Sequence, residues 1–140
     1  MKSLAPIARI SFALLFIISG VSHFQPGTVA YAESAGVPFA SLLVPASGVL
    51  AIVAALMVAT GYRARLGAAG LVAFLVPVTF MMHKFWAVPD PMMASLQQVM
   101  FFKNISLIGA ALYFVYAGAG AYSLDARAGR TELTPATSNA

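Results

Sequence analysis

IARISFALLFIISGVSHF, residues 7–24, is an apolar run with an arginine near one end and a histidine near the other. Two readings compete for it. Lys2 and Arg9 ahead of a short apolar run, with the small residues of "SGVS" behind, have the make-up of a cleavable signal peptide. At about 100° per residue, however, Arg9, Ala13, Phe16, Gly20 and His23 fall on one stripe. Small and polar groups mixed on a single stripe are what a helix carries when it packs inside a membrane bundle. The stripe favours a retained first span.

Three more apolar runs follow, Phe39–Thr60, Leu66–Met82 and Ile105–Tyr122. Each is near the ~20 residues that cross ~30 Å of hydrocarbon as a helix. Of the 140 residues 61% are hydrophobic and 9% charged, with a mean hydropathy of +0.88, too little polar surface for a soluble domain of this size. Strict period-2 alternation is missing and backbone groups cannot go unpaired in lipid, which excludes a barrel. The expected fold is an all-α membrane protein, a bundle of four transmembrane helices over residues 1–125 with spans at about 7–24, 39–60, 66–82 and 105–122. The tail, residues 126–140, is polar, rich in small residues and expected to be disordered. The eight Lys and Arg that give a net charge of +4 are dispersed, so the basic balance does not point to nucleic acid. With no cysteine, the chain can form neither a disulfide nor a thiolate metal site.

Orientation follows from the cations. Lys2, Arg9, Arg63, Arg65, Arg127 and Arg130 fall on one side of a four-span chain, and Lys84 with Lys103 on the other. The bias places both termini in the cytoplasm, as expected for a multi-pass protein of a bacterial inner membrane.

The middle spans read as packing. Ser47, Ala51 and Ala55 recur every four residues, and Gly67 to Gly70 open the third span with small side chains, so that backbones can approach where apolar bulk gains nothing over lipid. Gly70 is expected at such a contact. Pro45 and Pro77 each free a carbonyl one turn earlier.

Polar residues collect on the outer side: His23, His83 and Lys84 at span ends, with Lys103 and Asn104 at the start of the fourth. If that helix begins early, at about Met92 after "DP", then Gln97, Phe101, Asn104 and Ile108 share a face and Lys103 lies partly inside the membrane. Two histidines with only Glu33 or Asp90 nearby make no spaced metal motif, and no metal site is expected. Phosphate loop, nucleophile elbow and paired carboxylates are all missing, and no catalytic residue can be assigned. Two readings of the layer stay open. A small ring with polar oxygens could be held by Phe80, Met81, Phe85, Trp86 and Phe101, with His23, His83, Lys103 or Asn104 around its oxygens. Alternatively the aromatics form a belt at the headgroups.

"ARISFALLFIISG", "SAGVP", "TGYRARLGAAGL", "HKFW", "FFKNISLIGAAL" and "GAGAYSLD" together resemble the DoxX family of small bacterial four-helix membrane proteins, over about Ile7 to Asp125. The resemblance implies an inner-membrane protein associated with quinone, catechol or thiol stress. Arg9, Gly20, Arg65, His83, Lys103, Asn104 and Ser123 to Asp125 match that family's pattern, Arg9, Gly20 and Arg65 as structural positions. Many members carry a glutamate where this chain has Ala51, which removes an intramembrane carboxylate and argues against independent proton-coupled catalysis. The expectation is an accessory subunit in quinone- or thiol-linked redox processes, with a quinone as its ligand, and a redox enzyme subunit or a second copy of the chain as its partner in the bilayer. A structural or assembly protein without catalytic activity is the alternative. A permease for small lipophilic compounds is a third reading, which would need a polar cavity near mid-membrane.

Overall fold

The computed structural model describes residues 3–132. Six α-helices follow in order, α1 Leu4–Ser22, α2 Pro26–Ser34, α3 Ala40–Thr60, α4 Ala64–Met82, α5 Pro91–Ala117 and α6 Leu124–Glu132, with a 3₁₀ turn at Phe85–Ala87 before α5. Four of the described helices, α1, α3, α4 and α5, are long and apolar enough to cross a membrane. The chain is an all-α membrane protein, its backbone polar groups paired mostly within each helix as hydrocarbon demands, while Pro45 and Pro77, inside α3 and α4, each free one carbonyl.

The helices pack in sequence, α1 on α3, α3 on α4 and α4 on α5, with α2 lying against α3. On α1 the buried residues are Arg9, Ala13, Phe16 and Gly20, four of the five on the stripe that the 100° period draws; the fifth, His23, follows the helix half-buried, while Ile7, Ile10, Leu14 and Ile18 face outward. Phe12 meets Phe114 with ring centroids 5.2 Å apart and so joins α1 to α5. The core cluster is built from Phe16, Leu71, Phe74 and Leu75 between alanines such as Ala51, Ala55, Ala68 and Ala111.

Small residues set how close the helices lie. A Cβ on Gly20 would stand 2.6 Å from Ile52 Cγ1, one on Gly48 2.7 Å from the Gly20 carbonyl oxygen, and one on Gly67 2.8 Å from that of Ala54. Gly70 lies at the same α3–α4 contact, its absent Cβ 3.2 Å from Ala54 Cβ.

Three boundaries differ from expectation. The fourth span runs Pro91–Ala117 rather than 105–122, with the early start that "DP" allows. Asp90 accepts the Met93 amide proton at 2.7 Å and Pro91 takes the first turn, which starts the helix early, while Gly118 at φ +78° ends it. The first connection contains α2, started by Pro26. The tail expected to be disordered from residue 126 begins instead with α6, where the Ala126 amide donates to Ser123 Oγ at 3.1 Å. Residues 133–140 of that tail, and Lys2 of the charge count, lie outside the described residues.

Candidate functional site

The end of the bundle that holds the α3–α4 turn is tied by two charged side chains. Arg9 is 1% exposed, and its guanidinium donates to the carbonyls of Ala119, Ala121 (3.1 Å) and Tyr122 (2.8 Å), with a longer contact to Ala59 at 3.4 Å. One side chain of α1 therefore collects the carbonyls left over at the end of α3 and in the loop after α5. Asp125 works on the opposite polarity. Its carboxylate accepts the amide protons of Arg63 and Ala64 at 2.7 and 3.0 Å, capping the N-terminus of α4. The Asp125 amide in turn donates to the Gly61 carbonyl at 2.8 Å. Gly61 (φ +69°) must be glycine on two counts, since a Cβ there would also fall 2.3 Å from Ser123 Cβ. Arg65 is exposed and borders an open groove of about 660 Å³ with Arg63, Gly118 and Asp125.

Towards the opposite end the four residues named from the sequence do not converge. His83 Nδ1 donates to Gln97 Oε1 at 2.7 Å, and Gln97 Nε2 donates to Tyr31 Oη at 3.0 Å, a chain that fastens the end of α4 to α5 and α2. Asn104 is buried, and with Ala111 it makes up the buried set of α5. Lys103 is exposed, its ammonium 3.5 Å from Met100 Sδ. His23 lies elsewhere, on the α1–α3–α4 side, its ring edge-on to Phe74 at 5.6 Å between centroids.

The aromatics expected around a ring pack on one another. Phe101 meets Phe80, Phe85, Trp86 and Phe102 at centroid distances of 5.4, 5.6, 5.8 and 5.5 Å. Edge-to-face pairs of this kind are favourable in themselves, and Phe80, Phe85, Trp86 and Phe101 pack together at the corner where α4 turns into α5, with Phe80 and Trp86 still exposed. Among the described residues no group of three His, Asp or Glu side chains is placed to hold a metal ion.

His23 instead borders a separate crevice of about 250 Å³, walled by Val44, Leu50, Phe74, Pro77 and Met81, with α2 contributing Thr28 and Ala32. Its Nδ1 stands 2.7 Å from the Ser19 carbonyl oxygen. Of the predicted residues, then, one lines a cavity, one fastens helices, one is buried between helices and one faces outward. Asp125, Gln97 and Tyr31 were given no role by sequence reasoning. "SLD" carried a hint of Asp125 and the face shared with Phe101 and Asn104 one of Gln97, while nothing local marked Tyr31.

The profile of the SURF4 family matches residues 36–130. The chain is 32% identical over 123 residues to the inner membrane protein YphA of Escherichia coli, covering 86% of this chain and 87% of that protein. It is 30% identical over 121 residues to the inner membrane protein YqjF of the same organism, covering 85% and 87%. A Surfeit locus protein 4 homolog of Schizosaccharomyces pombe is 33% identical over 94 residues, 66% of this chain and 30% of that longer protein. No solved structure matches. These matches overturn the DoxX resemblance. The motifs that suggested it lie largely within the stretch that the SURF4 profile covers, and the redox association drawn from that resemblance loses its basis.

Proposed function

The chain belongs to the SURF4 family and is a multi-pass protein of the inner membrane, and from that premise we propose that it is a non-catalytic structural or assembly protein of the bilayer, offering the outward face of α5 to a partner membrane helix. The observation that carries this reading is the polarity of that face. Of the most apolar stretch of α5, 11% is buried, against 33% for α3 and for α4 with its following turn. Gln98, Lys103 and Ser106 are all exposed on it. Among the described residues, Ser106 Oγ has only the Phe102 carbonyl of its own helix as acceptor, and Lys103 only a thioether. Polar and cationic groups facing hydrocarbon are costly unless a partner helix or the headgroups receive them. At the end of the bundle that holds the α3–α4 turn, Arg9 and Asp125 are already engaged with backbone groups of their own chain.

The test replaces the polar face at once, Gln98→Leu with Lys103→Leu and Ser106→Ala. On this reading the triple variant keeps the parent's thermal stability in detergent and runs as a smaller species than the parent on native gels of mildly solubilised membranes. Identical migration of the two would refute it.

A further inference from the structure

The crevice beside His23 has a one-sided hydrogen-bond chemistry. The Ser19 carbonyl oxygen, 2.7 Å from His23 Nδ1, can only accept, so the ring proton is on Nδ1 and Nε2 of the neutral imidazole is an acceptor. Ser47 Oγ has given its proton to the Val44 carbonyl at 2.7 Å, and Thr28 Oγ1 has given its own to that of Ser22 at 2.8 Å. Both hydroxyls line the crevice with lone pairs alone to offer. Pro77, inside α4, has no N–H for the carbonyl of Ala73, and both residues also line the crevice. The polar lining residues and Ala73 thus carry four spare acceptors and no free donor, in a crevice otherwise lined by Ala, Leu, Val, Phe, Pro and Met.

We propose that this crevice is a binding site for a small neutral lipophile carrying a hydroxyl donor, an alcohol or a phenol. Its volume of about 250 Å³ falls just below the ~300–1,000 Å³ of sites for drug-sized molecules, which suits a single substituted ring. A quinone ring presents only acceptor oxygens and would leave every polar group of the wall unmatched. A cation would find no carboxylate among the lining residues to offset its desolvation. The site is independent of the α5 face and stands or falls separately from it.

The probes are 4-propylphenol and its methyl ether, 4-propylanisole, which share a shape and differ in the O–H. Binding to the purified protein in nanodiscs is measured by ligand-observed NMR and corrected for partition into empty nanodiscs. The parent is expected to bind the phenol saturably and about tenfold more tightly than the ether, the size of one hydrogen bond in a dry site. The ¹⁵N resonance of His23 Nε2 moves with the phenol and stays still with the ether. His23→Phe weakens the phenol and leaves the ether unchanged. Equal affinities, absence of saturable binding, or an unmoved Nε2 resonance each overturn the proposal, and these readouts on the parent decide it even if the variant fails to fold.

Discussion

Asp125 accepts the amide proton of Arg63 at 2.7 Å across a sequence separation of 62 residues. Arg63 is the residue before α4, with φ +46° and no side chain of its own segment capping the helix. The cap comes from the end of the chain instead. Because the Asp125 amide also holds the Gly61 carbonyl, the α3–α4 turn and the start of α6 form one unit, and Arg9 binds the loop that leads into it.

Removing the carboxylate orphans two amides. Asp125→Ala should lower unfolding free energy by about 1–2 kcal/mol, the upper range for a lost N-cap. Asp125→Asn, which keeps one acceptor oxygen, should lose less. Denaturation by SDS in mixed micelles reads both, and an alanine variant as stable as the parent would show that the cap contributes nothing.

Arg9 is the more consequential residue. Arg9→Met leaves the carbonyls of Ala119, Ala121 and Tyr122 without their donor, at roughly 1–3 kcal/mol for each unsatisfied buried group. Arg9→Lys should fall between, since an ammonium cannot span the same carbonyls as a planar fork. The expected order of melting temperature in detergent is parent, lysine, methionine; a methionine variant that melts with the parent contradicts the account.

Part of this was legible beforehand. The 100° period places Arg9, Ala13, Phe16 and Gly20 on one face, and the same four are the buried residues of α1. The start of α5 was obscured because Gln97, Gln98, Lys103 and Asn104 interrupt the apolar run, although "DP" at Asp90–Pro91 signals a helix start. The chain from His83 through Gln97 to Tyr31 joins three elements far apart in sequence. Hydropathy and periodicity report on one helix at a time, so a bond whose partners lie on different helices has no local signature.

Two glycines should respond oppositely to the same change. Gly48→Ala drives a Cβ to 2.7 Å from the Gly20 backbone oxygen and should cost about 1–3 kcal/mol through overpacking of α1 on α3. Gly109→Ala meets nothing within 4 Å and should leave stability unchanged or slightly raised. Thermal unfolding of the pair checks the α1–α3 contact, and equal effects would contradict it.

The charge bias proposes a cytoplasmic inner end. Gly27, Tyr62 and Pro89 are exposed, so single cysteines at Gly27 and Pro89 should react with an impermeant maleimide from outside intact spheroplasts, and one at Tyr62 only after lysis. The reverse pattern would invert the orientation and leave the bundle itself untouched.

The most direct test of the account is whether the outward face of α5 meets a protein in the native membrane. A photo-cross-linking p-benzoylphenylalanine at position 106, which needs no thiol on the partner, can be irradiated in membranes and compared with the same residue at position 18, on the exposed side of α1. The account predicts a discrete cross-linked species from position 106, lost when Lys103→Leu and Gln98→Leu are added, and none from position 18. If position 106 stays as monomeric as position 18, α5 faces lipid alone and the proposed role in assembly is wrong.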